Sequence, residues 1–295
     1  MLAFLLDPFK YEFFVRALLV ATVIGGLCGL VGTFVVLRRM SYIGHGLSHS
    51  VFGGAVVSYL LGVNFYLGAG AWGVLSAVLI SWTARRRQIG ADAAIGIVTT
   101  AAFAIGVAII SKARRFTRNF DAALFGNVLG VQPEDVYVVL GVTALVALMI
   151  FLSYRQLLFM TFDPEVAPLY GVPDRGADAL LSLILAATVI ASIQILGVTM
   201  IAAIIVVPAV TARLLTDSFG RMVVLATIIG VVCGLVGLLL SYYLDVASGA
   251  TVVLTASTIF LLALVGTALR RRLRTERART SAARLDRAQV SDLFD

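Results

Sequence analysis

The chain is 295 residues long, 60% of them apolar and only 13% charged, with a mean hydropathy of +1.02. About a quarter of a soluble domain is charged, so this composition excludes a soluble globular protein and indicates an integral membrane protein. The net charge of +7 does not indicate nucleic-acid binding, because the basic residues occur at the ends of apolar segments and near the C-terminus.

Continuous apolar segments of about 20 residues recur along the chain, each near the length that crosses ~30 Å of hydrocarbon as a helix. The first segment leads directly into Arg38 and Arg39, without the small residues that end a cleavable signal peptide. We therefore predict an all-α integral membrane protein, a polytopic bundle of about nine transmembrane helices. The predicted helices cover residues 13–37, 42–62, 65–84, 92–111, 135–154, 178–195, 197–214, 222–244 and 249–270.

The sixth and seventh predicted helices leave two alternatives open. The 34 residues from Ala179 to Ala212 carry no charge. A segment of this length is too long for one membrane crossing and short for two. The segment QILGV at 194–198 is the expected break between two helices, or else the end of a re-entrant segment. The predicted count is therefore eight or nine, and nine is favoured by the basic residues.

The basic residues also predict the orientation. With nine crossings and an external N-terminus, 17 of the 23 Lys and Arg residues face the cytoplasm, where positive charge is favoured. We predict a multi-pass protein of the cytoplasmic membrane, with a transmembrane domain at residues 1–270 and a cytoplasmic C-terminus. Residues 271–295 are predicted to be a basic tail, which either lies over anionic lipid headgroups or is solvated.

Two segments of the chain repeat each other. ATVIGGLCGLVG at 21–32 and ATIIGVVCGLVG at 226–237 match in nine of twelve positions, in helices predicted to cross in opposite directions. Inverted repeats of this kind are common in transporters. The alternative is convergence on a Gly-xxx-small pattern for close packing. Cys28 and Cys233 occur in these segments and are predicted to be packing residues, with no disulfide framework.

The only two histidines of the chain, His45 and His49, are four residues apart on one predicted helix. Residues at this spacing share a helix face about 5–6 Å apart at Cβ, so both imidazoles can reach a single ion. Neutral imidazole binds zinc, manganese or iron, and its burial avoids much of the penalty of a buried carboxylate. The alternative is that both histidines only hydrogen-bond neighbouring helices. Two ligands do not complete a site, so others would come from this chain, a second subunit or water.

Six segments, in order along most of the chain, resemble the membrane permease subunits of bacterial ABC importers for manganese, zinc and iron. The first, LRRMSYIGHGLSHSVFGG at 37–54, resembles the G-D-x-x-x-H motif of that family. The other five are DAAIGIV at 92–98, LFGNVLGVQPEDV at 124–136, DPEVAPLYGVP at 163–173, ILGVTMIAAIIVVPAVTARLLT at 195–216 and LSYYLDVASGATVVL at 240–254.

The resemblance implies a type II-like ABC importer permease, either a homodimer or a pair of different permeases, with the translocation path at the interface. It implies cytoplasmic ATP-binding subunits and an extracellular metal-binding protein as partners, and a divalent Mn, Zn or Fe ion as cargo rather than a permanently bound cofactor. The chain itself is then not an enzyme, and it carries no G-x-x-x-x-G-K-[ST] loop. By this likeness the element that couples to the ATPase comprises Asp163, Pro164, Glu165, Leu169, Tyr170 and Gly171.

Two further features suit a transport path. Phe125, Gly126 and Asn127 fall in a loop on the predicted outer side, which suits a gate or a docking surface for the binding protein, or is an ordinary loop. Pro208 lies in an apolar helix, where a proline kinks the helix and frees a carbonyl. This kink would belong to a flexing pathway helix, or it is static.

One position departs from the family pattern. His45 stands where the family has an aspartate, whereas His49 matches the family's histidine. Two imidazoles without a carboxylate tilt the site toward zinc and away from manganese, so the identity of the metal stays open.

Two rival functions are less well supported. A secondary metal transporter driven by an ion gradient typically needs intramembrane carboxylates, but Asp92 and Asp245 fall near predicted helix ends. An intramembrane metalloprotease would need an acid beside the metal, as in H-E-x-x-H, whereas Gly46, Leu47 and Ser48 separate the two histidines. We expect a permease subunit rather than an enzyme.

Overall fold

The structure is a computed structural model that describes residues 7–84, 91–113, 126, 130–163, 167 and 174–291. These residues form a short 3-10 helix at Asp7–Lys10 and ten α-helices, without a β-strand in the described ranges, so the all-α prediction is confirmed. The helices are α1 (Glu12–Leu37), α2 (Ser41–Leu61), α3 (Phe65–Ala84), α4 (Ala91–Ala113), α5 (Pro133–Leu152), α6 (Tyr154–Phe162), α7 (Asp174–Leu196), α8 (Ile201–Leu215), α9 (Phe219–Leu244) and α10 (Ser248–Ser291).

Nine helices of the described chain have 15 residues or more, and each overlaps one predicted helix. Five of them contain segments long and apolar enough to cross a membrane, and α3, α7 and α8 contain shorter apolar segments. The helix α2 is in neither group, because glycine, serine and the two histidines interrupt its apolar residues. The five long segments are Glu12–Leu37, Ala93–Lys112, Pro133–Leu152, Phe219–Leu244 and Ser248–Arg270.

The break between α7 and α8 lies where the sequence predicts it. The helix α7 ends at Leu196, and Gly197 follows with a φ of 74°, a left-handed conformation that glycine adopts without a steric penalty. A new helix begins at Ile201. The stretch from 179 to 212 is therefore two helices, as the nine-helix alternative requires.

The last helix continues past the predicted end of the transmembrane domain. The helix α10 runs without a break through 44 residues from Ser248 to Ser291, about 66 Å at 1.5 Å per residue. The boundary at residues 270 and 271 is thus a change of composition within one helix. The assignment of residues 271–295 to a cytoplasmic tail stays a prediction.

The two repeated segments pack against each other in α1 and α9. A Cβ atom added to Gly25 would lie 2.1 Å from the carbonyl oxygen of Gly230, and one added to Gly230 would lie 2.0 Å from the carbonyl oxygen of Gly25. These distances are shorter than any non-bonded contact, so the two backbones touch only because both residues are glycine. We call this contact the glycine seam.

The contacts on either side of the glycine seam are related by symmetry. Gly29 packs on the carbonyl of Ala226, and its equivalent in the repeat, Gly234, packs on the carbonyl of Ala21. The helices therefore run antiparallel, as predicted, around a local two-fold axis at the seam. The repeat serves close packing, and it does so with the symmetry of an inverted pair.

The helix α1 occupies the centre of the bundle. In its apolar segment 72% of the residues are buried, against 11% in α10, which therefore lies at the periphery. Large side chains fill the core around α1, and the fully buried ones include Phe14, Phe34, Phe52, Ile184 and Leu185.

Aromatic contacts mark the two ends of the bundle. At one end Phe14 of α1 contacts Tyr242 of α9, and at the other Phe34 of α1 contacts Phe219 of α9. Tyr154 and Phe162 of α6 also contact Phe219. The basic residues at or next to the helix ends of this second end are Arg38, Arg39, Arg155, Arg213 and Arg221.

Candidate functional site

The histidine pair lies near the start of α2. The ring centroids of His45 and His49 are 4.6 Å apart, with an edge-to-face angle of 76°. The side chain of His45 is exposed, and that of His49 is half-buried. The prediction that the two imidazoles share one helix face is confirmed.

A cavity of about 360 Å³ lies between the histidine pair and α4. One of its walls is formed by α2 and the other by α4. The ring of Phe103 on α4 contacts that of His49 edge to face, with 5.3 Å between centroids. The cavity is lined by His45, Gly46, His49, Ile95, Gly96, Thr99, Thr100 and Phe103.

Glycines hold the two walls together in a fixed register. A Cβ atom on Gly46 would lie 2.7 Å from the Ile95 side chain and 2.8 Å from that of Thr99. Seven residues later on both helices, a Cβ atom on Gly106 of α4 would lie 2.6 Å from the Cα of Gly53. Contacts that advance together along both helices show that α2 and α4 run parallel. The histidines of α2 are therefore level with the second and third turns of α4.

Serine hydroxyls fix the rest of α2. Ser50 donates a hydrogen bond to the hydroxyl of Ser76 on α3, and both side chains are buried. Ser48 donates to the carbonyl of His45 at 2.8 Å, which satisfies its hydroxyl within the helix. Because these buried hydroxyls have partners inside the bundle, the helix is held without using the histidine face.

The cavity offers nitrogen ligands to a metal but not a complete site. The described residues contain no group of three or more His, Cys, Asp or Glu side chains that could hold an ion together. Two imidazoles need further ligands from water, from hydroxyl groups or from another copy of the chain.

The predicted ATPase-coupling element is described only in part. Asp163 follows α6 and is exposed, and its carbonyl accepts a hydrogen bond from the backbone of Ala167 at 3.0 Å. Ala167 is buried and clusters with Met160. The remaining residues of that prediction, and two of the predicted gate, lie outside the described residues: Pro164, Glu165, Leu169, Tyr170, Gly171, Phe125 and Asn127.

The third residue of the predicted gate, Gly126, lies far from the histidine cavity. It has a φ of 82° and lines a separate cavity of about 400 Å³ at the end of the bundle marked by Phe14 and Tyr242. Asp245 lines the same cavity. A gate or docking role at this end stays a prediction.

Pro208 is buried in α8, which continues through it from Ile201 to Leu215. Close by, a Cβ atom on Gly32 of α1 would lie 1.9 Å from the carbonyl oxygen of Ile205. Pro208 therefore lies in a tightly packed part of the core and does not line the cavity.

Several residues beside the site were not predicted. Thr99, Thr100 and Phe103 lie on the cavity wall, and the paired threonines in an otherwise apolar helix were the available signal. Asp135 was also missed as a buried group. It is 7% exposed, accepts a 2.6 Å hydrogen bond from the Tyr66 hydroxyl and closes the capping box at the start of α5. It lies at a helix end, away from the cavity.

Comparison with known proteins identifies relatives along nearly the whole chain. The profile of the ABC 3 transport family matches residues 10–267. The "Manganese transport system membrane protein MntC" of Halalkalibacterium halodurans is 40% identical over 254 residues, which are 86% of this chain and 87% of that protein. The "Probable iron transport system membrane protein" of Haemophilus influenzae is 34% identical over 265 residues, or 90% and 94% of the two chains.

A solved structure has the same fold. PsaBC from Streptococcus pneumoniae in complex with Fab aligns with a TM-score of 0.81 and 34% sequence identity. The alignment covers 89% of this chain and 95% of that one.

Proposed function

Because the chain belongs to the ABC 3 transport family, we propose that it is the membrane permease of an ATP-driven importer whose cargo is manganese. The family match over residues 10–267 is the observation that carries this proposal. ATP is hydrolysed by a separate subunit, and this chain is not an enzyme. The alternative of a secondary transporter driven by an ion gradient finds no support in the comparisons.

Manganese is the best-supported cargo because relatives with up to 40% identity are named for manganese transport. Iron is the second candidate, since one relative at 34% identity is named for iron. Zinc is supported only by ligand preference, because two imidazoles favour zinc over manganese.

In the proposed mechanism the ion passes His45 and His49. Their ring centroids are 4.6 Å apart on one wall of an accessible cavity, so both can contact one ion. Neutral imidazoles can replace water molecules bound to the ion, and they do so without placing a negative charge inside the membrane. The ion is held only briefly and moves on when the helices shift between outward-open and inward-open arrangements.

We propose that two copies, or this chain and a second permease, pair across the cavity. The side chain of His45 is exposed, and so are Gly96, Thr100 and Ala104 on the adjoining face of α4. Small residues of this kind let another helix approach closely. A partner copy would bring a second histidine pair to the same path, which supplies ligands that one chain lacks.

The proposed orientation follows from the ends of the bundle. The Arg-rich end, where Phe34 meets Phe219, faces the cytoplasm, and the end that holds Gly126 faces outward. Asp163, beside α6 at the Arg-rich end, then belongs to the surface on which the ATP-binding subunit docks. The extracellular metal-binding protein docks at the opposite end.

The test is uptake of radiolabelled manganese by cells that express the whole transporter. With His49→Ala at matched membrane expression, we expect uptake to fall about tenfold or more while the complex with its ATPase stays assembled, because loss even of a group that only orients a metal ligand costs about 10- to 100-fold. Trp82→Ala is the control, because that exposed aromatic side chain lies outside the cavity. Wild-type cells that take up no more manganese than cells without the transporter would overturn the proposed cargo.

A further inference from the structure

One threonine in the cavity differs from most threonines of the apolar helices, although Thr143 of α5 also has a hydroxyl without a hydrogen-bond partner among the described residues. A threonine in a helix usually bonds its hydroxyl to the carbonyl three or four residues earlier. Thr99 does so, donating to the carbonyl of Ile95 at 2.7 Å. The hydroxyl of Thr100 makes no hydrogen bond to any residue in the described part of the chain. Like Thr99, seven further threonines donate their hydroxyl to a carbonyl of their own helix: Thr22, Thr188, Thr211, Thr227, Thr255, Thr258 and Thr267.

The register of the two walls places Thr100 at the level of the histidine pair. Gly46 packs on Thr99, and the ring of His49 contacts that of Phe103. Thr100 lies between these two contacts along α4, and it lines the same cavity as both histidines. Its side chain is exposed there, whereas Thr99 is buried against α2. The free hydroxyl therefore belongs to the cavity and not to the packing of the helices.

The cavity lacks an oxygen ligand of the usual kind. Its lining contains two imidazoles and two hydroxyls, but no carboxylate among the residues that the structure describes. Manganese prefers oxygen ligands to an all-nitrogen site. The side chain of Thr99 is buried against Gly46 of α2, which leaves the exposed hydroxyl of Thr100 to meet the ion.

We propose that the hydroxyl oxygen of Thr100 is a further ligand of the ion, opposite the histidines, and contacts the metal ion directly or through one bound water. It replaces part of the ion's hydration with an oxygen from the α4 wall and raises the preference for manganese over zinc. This inference rests on the proposed function and adds to it a specificity-determining residue.

The first test compares the concentration dependence of manganese uptake in four versions of the whole transporter. Thr100→Val keeps the shape of the side chain and removes the hydroxyl, and Thr100→Ser keeps the hydroxyl. Thr258→Val is the matched control, since Thr258 is an exposed threonine in an apolar segment, but its hydroxyl bonds to Leu254. We expect Thr100→Val to raise the half-saturating manganese concentration about 10- to 100-fold. Thr100→Ser and Thr258→Val should stay within about threefold of wild type, because each keeps the ion site as it is.

A second variant tests specificity and does not depend on loss of activity. Thr100→Cys places a thiol where the hydroxyl was, and thiolate ligands favour zinc. We expect the ratio of zinc to manganese uptake to rise about tenfold, with no change in Thr258→Cys. A purely structural role for Thr100 would leave this ratio unchanged.

The outcomes separate the two proposals. Wild-type concentration dependence in Thr100→Val, together with lost uptake in His49→Ala, would overturn the role of Thr100 and leave the proposed function standing. If the wild-type transporter takes up no manganese, the proposed cargo fails first. If Thr100→Val does not assemble, an unchanged zinc-to-manganese ratio in Thr100→Cys would overturn the inference by itself.

Discussion

The glycine seam between α1 and α9 makes a quantitative prediction about stability. In Gly230→Ala the new methyl carbon would lie 2.0 Å from the carbonyl oxygen of Gly25. A carbon and a carbonyl oxygen normally approach to about 3.3 Å, so the helices must separate by about 1.3 Å. The obstructing atom is backbone, so no side chain can rotate away to make room.

The expected loss of stability in Gly230→Ala follows from overpacking of the seam. Forcing an extra methyl group into a packed core lowers the free energy of unfolding by about 1–3 kcal/mol. The control is Gly141→Ala on α5, where a new Cβ atom meets nothing within 4 Å. There alanine raises helix stability by about 1 kcal/mol. The two variants should therefore differ by about 2–4 kcal/mol.

Thermal unfolding of the purified transporter in detergent, at one fixed scan rate, measures this difference. At about 2 °C per kcal/mol, the lower end for a large domain, Gly230→Ala should unfold about 4–8 °C below Gly141→Ala. An apparent Tm within about 1 °C of the control would refute the contact.

The local two-fold axis adds a test of symmetry. Gly25→Ala places its methyl group 2.1 Å from the carbonyl oxygen of Gly230, so it should destabilise as much as Gly230→Ala. In the double variant the helices have already separated, so the combined loss should be smaller than the sum of the two. Unequal single variants with additive effects would mean that the repeat packs without symmetry.

Three further predictions concern the cavity and the outer helix ends. Gly46→Ala puts a methyl group 2.7 Å from the Ile95 side chain, so it should displace the α4 wall and lower manganese uptake severalfold while ATPase assembly, measured by co-purification, is kept. His45→Asp supplies a carboxylate oxygen and should raise the ratio of manganese to zinc taken up in a competition assay. An unchanged ratio would place His45 outside the path. Asp135→Asn weakens the acceptor of the 2.6 Å bond from Tyr66 and should lower stability by about 1–3 kcal/mol, with no further loss when Tyr66→Phe is added.

Much of the fold can be predicted from local sequence. Each long helix follows from an apolar run of the right length, and the break near Gly197 follows from a charge-free stretch too long for one crossing. The common face of His45 and His49 follows from their spacing alone. The end of α5 at Leu152, with α6 after it, was not predicted, because the apolar run continues through Tyr154.

The candidate site was predictable only by half. One wall comes from the histidine pair in a single segment, whereas the other comes from Thr99 and Thr100, some fifty residues later. Only the parallel packing of α2 on α4, through Gly46, Gly53 and Gly106, brings the two walls together.

The sequence by itself determined which segments are helices and which side chains share a face, because these follow from hydrophobicity and backbone geometry within one segment. The tertiary structure decided which helices touch. Inside a membrane the hydrophobic effect does not distinguish one apolar helix surface from another, so pairing depends on close fit and on a few hydrogen bonds. The contacts of Gly25 with Gly230 and of Tyr66 with Asp135 therefore emerge only in the assembled bundle, as does the cavity that the histidines share with Thr100.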